Sequence, residues 1–318
     1  MPDEAWRGVS VLLPTLNGAA TLPALLDRLE SQKTDGPVET VAVDSGSCDG
    51  TLAILRGRVD RLVEIPPERF NHGLTRNLGI EHCRGELVAL LVQDALPGSD
   101  RWLADLTRPL LDDAALAGTY ARQVPRPDAS AVTRSYLERY PGASDAPRVS
   151  AVAGRDAFLA LPPAEQLALC TFDNVSSCIR RSVWRAIPFP ATPIAEDVEW
   201  ARAVLLAGYR LAYVPAATVI HSHERSARYE LHRTYLVHRR LRALFGLATI
   251  PSLRDLVWAV ASTLRVHARC LATGPAGPRS RSAEVARGLA LAIAFPLGQY
   301  LGARAADTGR DLLRPRGV

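Results

Sequence analysis

Val38-Glu39-Thr40-Val41-Ala42-Val43-Asp44-Ser45-Gly46-Ser47-Cys48-Asp49-Gly50-Thr51 is a β-rich run that stops at an aspartate, turns through small residues and opens a helix. The same strand–turn–helix order recurs on both sides of it. Upstream, residues 9–13 are an apolar run ending at Pro14, and residues 21–29 have helical spacing with Thr21 as N-cap before Pro23. Downstream come a helix over 49–58, a strand over 61–65, a helix over 74–83 and a strand over 87–92. This alternation with short connections predicts an α/β chain, with a Rossmann-like, mostly parallel sheet flanked by helices. Ligands of such sheets bind beyond the carboxyl ends of the strands. Thr15, Asn17, Asp44 and Asp94, each just past a run, therefore converge on one crevice.

After Pro97 the pattern loosens. A helix over 102–111 leads to a strand over 116–122 and the proline-rich Val124-Pro125-Arg126-Pro127. Residues 130–190 read as loop-rich, with helices over 131–139 and 181–186. A helix from about 195 to Gly208 carries Glu196-Asp197 in its first turn, and strands over 211–214 and 218–220 precede His221-Ser222-His223. From Arg225 onward the chain is helical, basic and amphipathic. The expected division is 1–225 as one domain, split into halves 9–97 and 98–225, with 226–318 as a helical extension.

A chain of 318 residues with 47% hydrophobic content buries a large core. The net charge is +5, and Lys33 is the only lysine. Arginine suits phosphates and carboxylates, although compositional drift produces the same bias. Five scattered cysteines without a CxxC pair argue against a disulfide framework and against a structural zinc site. Residues 1–4 lack the features of a signal peptide, so a cytoplasmic protein is expected. The nearest approach to a spanning segment, residues 288–303, is interrupted by Pro296 and Gln299 and is too short to cross a bilayer, but suits a place on its surface. No G-x-G-x-x-G follows the first strand and no P-loop occurs, which weakens dehydrogenase and nucleotide-triphosphatase readings. No nucleic-acid partner is expected.

Five places carry chemistry. The run Leu87-Val88-Ala89-Leu90-Leu91 delivers Val92-Gln93-Asp94, a single carboxylate where a metal–diphosphate enzyme wants two. Asp44 and the Ser45-Gly46-Ser47 turn suit a pyrimidine base, or serve a plain strand–helix connection capped by Asp49 or Ser47. Phe70-Asn71-His72-Gly73-Leu74-Thr75-Arg76-Asn77 places Arg76 in a first helical turn, within reach of a diphosphate; equally, Asn71 or Thr75 caps the helix there. Glu196-Asp197 either complements a helix dipole or supplies a general base, and His221-x-His223 offers one ring to a metal or none.

Together these pieces resemble a family-2 glycosyltransferase of the GT-A fold, most similar to the bacterial rhamnosyltransferase branch. The resemblance runs from about Val9 to Arg225. Its marks are Val11-Leu12-Leu13-Pro14-Thr15-Leu16-Asn17, Val43 to Thr51, Phe70-Asn71-His72-Gly73 with Thr75-Arg76-Asn77, and Gln93-Asp94-Ala95-Leu96-Pro97. Later marks are Arg122-Gln123-Val124-Pro125-Arg126-Pro127, Ala195-Glu196-Asp197-Val198-Glu199-Trp200 and His221-Ser222-His223.

The resemblance implies that Pro14, Thr15, Asn17, Asp44, Ser45, Arg76, Gln93 and Asp94 bind the donor, with Asp44 against the base and Arg76 by the diphosphate. It implies that Asp94 with His221 or His223 holds Mg2+ or Mn2+, although Val92 replaces the first aspartate of the Asp-x-Asp motif. Asp197 matches the catalytic base of an inverting transfer. The implied donor is dTDP-L-rhamnose, and the implied acceptor a saccharide or lipid-linked sugar in cell-surface polysaccharide synthesis. A UDP-hexose or galactofuranose donor, or a degenerate scaffolding subunit, is the alternative. Acceptor contacts are expected within 130–190, with Asp173, Asn174 and Arg180 as candidates. The basic C-terminal helices imply peripheral contact with the cytoplasmic face of an anionic membrane, or else a solvated rim of packed helices.

Overall fold

The structure, a computed structural model, describes residues 8–274 and 280–313. The expectation drawn from residues 1–4 lies outside the described residues. In chain order the first half holds β1 (Val9–Thr15), α1 (Leu22–Glu30), β2 (Val38–Asp44), α2 (Thr51–Arg56), β3 (Arg61–Glu64), α3 (His72–Glu81), β4 (Leu87–Leu91), β5 (Leu96–Pro97), α4 (Trp102–Asp112) and β6 (Leu116–Val124). There follow α5 (Ala131–Glu138), β7 (Arg148–Ser150), α6 (Arg155–Leu159), α7 (Pro163–Leu169), β8 (Ser176–Arg180), α8 (Arg181–Ala186), α9 (Glu196–Leu206) and β9 (Arg210–Ile220). Three long helices close the chain: α10 (Ala227–Phe245), α11 (Leu253–Thr273) and α12 (Arg281–Thr308).

The chain forms two compact units. The first takes the chain up to Val124, Pro141–Ala160 and Leu169–His221; the second takes Pro125–Tyr140, Leu161–Ala168 and everything from Ser222 on.

The first unit is a mixed α/β layer built on one sheet of order β3-β2-β1-β4-β8-β6-β9-β5, with β7 on β9. Strands β3, β2, β1 and β4 are parallel, as the alternating pattern requires. Strand β8 then runs antiparallel to both β4 and β6, while β6 and β9 are parallel. Strand β8 falls inside the stretch 130–190, whose sequence reads as loop-rich. Ser176-Ser177-Cys178-Ile179-Arg180 lacks the aliphatic weight of β4, yet its first four residues are buried. The short strands expected at 211–214 and 218–220 are one strand, β9, whose register against β6 shifts between Ala121 and Arg122. Such an irregularity breaks the period-2 pattern from which a strand is read.

Leu13, Leu25, Leu26, Ala89, Leu91, Trp102, Leu106 and Val219 form the apolar core of this unit, at most 1% exposed. Helix α3 begins where Asn71 Oδ1 accepts from the N–H groups of Gly73 and Leu74, both at 3.1 Å. Its Gly79 lies on β1 so closely that a Cβ there would meet Leu12 Cδ1 at 2.4 Å. At α1 the expected cap is absent: Thr21 makes no side-chain cap bond, and its hydroxyl turns back to the Gly18 carbonyl.

In the second unit α10 and α12 pack through small residues. A Cβ on Gly302 would lie 2.4 Å from the Tyr235 carbonyl oxygen, and one on Gly298 would lie 2.9 Å from that of Leu231. Pro296, expected to interrupt the apolar segment, lies inside α12, which continues through it. Among the described residues it is the one helix long and apolar enough to cross a membrane, and 44% of its most apolar window is buried. Part of the basic tract is tied down internally, by Arg242–Asp307 at 2.8 Å and by Arg239 with Asp311.

Candidate active site

The chain crosses from β3 to β4 by passing over β2 and β1, so the strand order reverses beside β1. That reversal leaves a crevice beyond the carboxyl ends of β1 and β4. Its first wall is built from the ends of β1 and β2. Asp44, buried at 1% exposure, accepts at Oδ1 from the N–H groups of Gly46 (3.1 Å) and Ser47 (2.8 Å), and at Oδ2 from the hydroxyls of Thr15 (3.0 Å) and Ser47 (2.6 Å). Asn17 receives the Cys48 N–H and gives its own N–H to Ser47 Oγ. Gln93 binds both polar groups of Leu16, accepting its N–H at 2.9 Å and donating to its carbonyl at 2.8 Å. Thr15, Asn17, Asp44, Ser45 and Gln93 are thus brought together, with Pro14 half-buried one residue upstream. Asn17 holds a φ of 49°, and Ala195 before α9 holds 60°; they are the two non-glycine residues with positive φ among the described residues. Left-handed backbone costs a residue with a Cβ about 1–2 kcal/mol, and such strain clusters where function fixes geometry.

The second wall carries Asp94. Val92 packs against the apolar core, so no charge stands where the family motif has its first aspartate. Asp94 Oδ1 instead faces His221 Nε2 at 3.7 Å. The other ring nitrogen of His221 lies 2.9 Å from Gln123 Oε1, and Gln123 Nε2 donates to Asp173. His223 follows two residues after His221, at the start of the second unit.

Beyond Asp173 lies the pair at the start of α9. Glu196 is buried and bridged to Arg76, with Nη1 to Oε1 at 3.1 Å, and accepts from Asn174 Nδ2 at 3.2 Å. Burial alone would raise its pKa, but the charges of Arg76 and His72 and the Asn174 hydrogen bond outweigh it and hold the carboxyl below its ordinary value. No ion pair like that of Glu196 is made by Asp197 among the described residues. Burial, then the charges of Glu196 and Asp173, push its carboxyl up to about 8, and the Arg76 charge lowers it only weakly. Its oxygens accept from the N–H groups of Val198 (2.8 Å) and Asn174 (3.5 Å). Helix position left these two acids equivalent in the sequence; the structure makes Glu196 a buried ion-pair partner and leaves Asp197 the half-buried, unneutralised one.

Arg76 is 5% exposed, gives its carbonyl-directed bond to His72 and its charge to Glu196, and its Nε has no hydrogen-bond partner. Ser45 Oγ is likewise buried without one. The neighbouring motif residues serve packing. A Cβ on Gly73 would stand 2.0 Å from the Pro190 carbonyl oxygen, and Asn77 binds Trp184 Nε1 and both backbone groups of Phe189. Of the acceptor candidates, Asp173 and Asn174 join the site. Arg180 does not; its guanidinium donates to the carbonyls of Leu110, Asp113 and Leu116 around the end of α4. Gln123 has no role legible in the sequence, because a lone glutamine at a strand end carries no signal without its partners.

Residues 10–152 match the family described as Glycosyl transferase family 2. The chain is 30% identical to the O-antigen chain rhamnosyltransferase WbaN of Salmonella anatum over 71% of this chain and 70% of that protein. It is 29% identical to the O-antigen chain rhamnosyltransferase RfbN of Salmonella typhimurium over the same shares. In fold it is similar to the mannosyltransferase PcManGT of Pyrobaculum calidifontis, solved with GDP-Man and Mn2+, with a TM-score of 0.59 at 21% identity over 95% of this chain and 88% of that one. The sheet with its reversal beside β1, the carboxylates beyond its strand ends and these relatives agree: the chain belongs to glycosyl transferase family 2, with the GT-A fold.

Proposed function

We propose that this glycosyltransferase moves L-rhamnose from dTDP-L-rhamnose, with inversion, to a saccharide or lipid-linked acceptor of a cell-surface polysaccharide. The observation that carries the proposal is the asymmetry of Glu196 and Asp197: one acid locked to Arg76, the other unneutralised and held near neutrality. A general base works best with a pKa near the working pH. The named relatives support the donor sugar.

The donor lies across the ends of β1, β2 and β4. Asp44 already accepts four hydrogen bonds, so we assign it the shaping of the base pocket through Thr15 and the 45–47 turn, with Asn17, Ser45 and Pro14 lining the same wall. Gln93 fixes the backbone at Leu16 against the donor. Asp94 and His221, with His223 close by in sequence, hold the divalent metal. The donor set fits such an ion: a carboxylate oxygen of Asp94 and an imidazole nitrogen of His221 stand 3.7 Å apart, close enough for both to hold one divalent cation. Bound Mg2+ or Mn2+ supplies charge neutralisation for the departing diphosphate. With one protein carboxylate at its ion where the family motif has two, we expect the metal to arrive with the nucleotide sugar. Arg76, expected beside the diphosphate, is committed to Glu196 and fixes that acid at the start of α9. Asp197, in its ionised form, takes the proton of the acceptor hydroxyl as that oxygen attacks the anomeric carbon from the face opposite the leaving group. One base suffices, because no covalent glycosyl-enzyme forms.

The second unit is proposed to rest on an anionic membrane surface, where a lipid-linked acceptor is presented. Leu253, Val257 and Trp258 are 63%, 71% and 70% exposed on α11, beside Arg254. Calorimetry with dTDP-rhamnose, with and without Mg2+ or Mn2+, tests the core of the reading. Binding strengthened by metal is expected; no binding in either condition overturns it, and binding of UDP-sugars in its place moves the donor.

A further inference from the structure

Gln123 links the two halves of the site through hydrogen bonds of fixed polarity. It is 6% exposed near the end of β6, which β9 flanks in parallel, and the His221 N–H is held by the Val124 carbonyl at 2.9 Å. A side-chain amide has one donating end and one accepting end, whereas an ionised carboxylate only accepts. Asp173 therefore selects which way the amide lies, with Nε2 toward its Oδ2 and Oε1 toward His221 Nδ1. The second oxygen of Asp173 is itself fixed by the Val175 N–H at 2.9 Å. A carbonyl oxygen offers no hydrogen, so the shared hydrogen belongs to Nδ1. The neutral ring then presents the lone pair of Nε2, and Nε2 is the atom turned to Asp94 at 3.7 Å.

We propose that Gln123 is a positioning residue that holds His221 as its Nδ1–H tautomer, with the Nε2 lone pair turned toward Asp94, where the two would share a divalent cation. The proposal rests on the reading of Asp94 and His221 as metal ligands. Hydrogen-bond partners of this kind orient metal-binding histidines, and their loss weakens metal binding about 10- to 100-fold. The same amide ties Asp173 in place, so one side chain orders both the metal side and the base side of the site.

Two variants separate the jobs. Gln123→Leu removes acceptor and donor; Gln123→Glu keeps an acceptor beside Nδ1 and loses the donor to Asp173. Long-range proton–nitrogen NMR on labelled protein, above the pH at which the imidazole is protonated and assigned with His221→Asn, reads the tautomer. Mn2+ affinity in the presence of dTDP is read by electron paramagnetic resonance, with melting curves as a control on folding. Wild type and Gln123→Glu should show Nδ1–H, with Mn2+ affinities within about threefold, while Gln123→Leu should lose the tautomer preference and about 10- to 100-fold in affinity. An Nε2–H ring in the wild type overturns the proposal, and that measurement needs no variant to fold. So does Gln123→Leu with tautomer and affinity unchanged, or Gln123→Glu as impaired as Gln123→Leu. If the wild type takes up no Mn2+, the metal reading of Asp94 and His221 fails, while the tautomer spectra still decide the role of Gln123.

Discussion

Glu196 and Asp197 differ in sequence position by one residue and in environment by a cation. Asp197 has a folded-state pKa of about 8, above the ordinary aspartate value. A raised value means that its neutral form stabilises the fold: the contribution is complete below about pH 4 and is lost as pH rises through about 8. Asp197→Asn keeps a neutral side chain at every pH. Its melting temperature should match wild type near pH 4 and exceed it by about 2–6 °C at pH 9, on the size scaling of thermal unfolding. The same variant should abolish transfer while donor binding survives, and wild-type kcat/KM should climb with pH through about 8. A melting difference that does not change with pH would remove the perturbed carboxyl from the account. Arg76 has the converse role. Arg76→Met strands Glu196 without its cation and should cost about 3–5 kcal/mol in denaturant titrations, whereas Arg76→Met with Glu196→Gln should recover most of that. The family resemblance put the base at Asp197 and Arg76 at the diphosphate; the pairing of Arg76 with Glu196 depends on α3 and α9 meeting, 120 residues apart in the chain.

At the scale of elements, α3 is where local preference and packing oppose each other. Alanine favours a helix interior over glycine by about 1 kcal/mol. At Gly79, however, a Cβ would meet Leu12 Cδ1 at 2.4 Å and Val43 Cγ2 at 3.0 Å, both on buried strands. Gly79→Ala should therefore destabilise by about 1–3 kcal/mol, as overpacked cores do, and a stabilised variant would show that α3 moves freely on the sheet. Elements with a strong period were legible: β1 to β4 and the helices between them lie within a few residues of their expected places. Strand β8 was not. Its Ser176-Ser177-Cys178 reads as a polar loop, and only its place between β4 and β6 makes it a buried strand. Helix α2 is shorter than expected at both ends: Asp49 accepts from the Thr51 N–H and hydroxyl ahead of a left-handed Gly50, and Gly57 caps the other end.

At the scale of the molecule, the second unit carries the exposed apolar side chains of α11. Trp258→Glu, on a helix face with no core behind it, should leave melting unchanged and reduce sedimentation with vesicles containing phosphatidylglycerol, with little effect on neutral vesicles. Equal loss on both vesicle types would favour a purely apolar contact, and no loss on either would return α11 to an ordinary solvated helix. The basic composition of this region was plain in the sequence. Its arginines were not separable there into those that reach outward and those, such as Arg239 and Arg242, that pair with Asp311 and Asp307 across the unit.

The sequence by itself determined the strand–helix alternation behind the parallel half of the sheet and the convergence of Thr15, Asn17, Asp44 and Asp94 just past its strands. Those follow from local periodicity and from residues that stand directly after strands. The tertiary structure alone decided the strand reversal that opens the crevice, which acid is neutralised and which is left near pH 8, and that Gln123 joins His221 to Asp173. Each of these depends on burial and on partners brought from distant parts of the chain, and a carboxylate's proton affinity is set by that surrounding rather than by its neighbours in sequence.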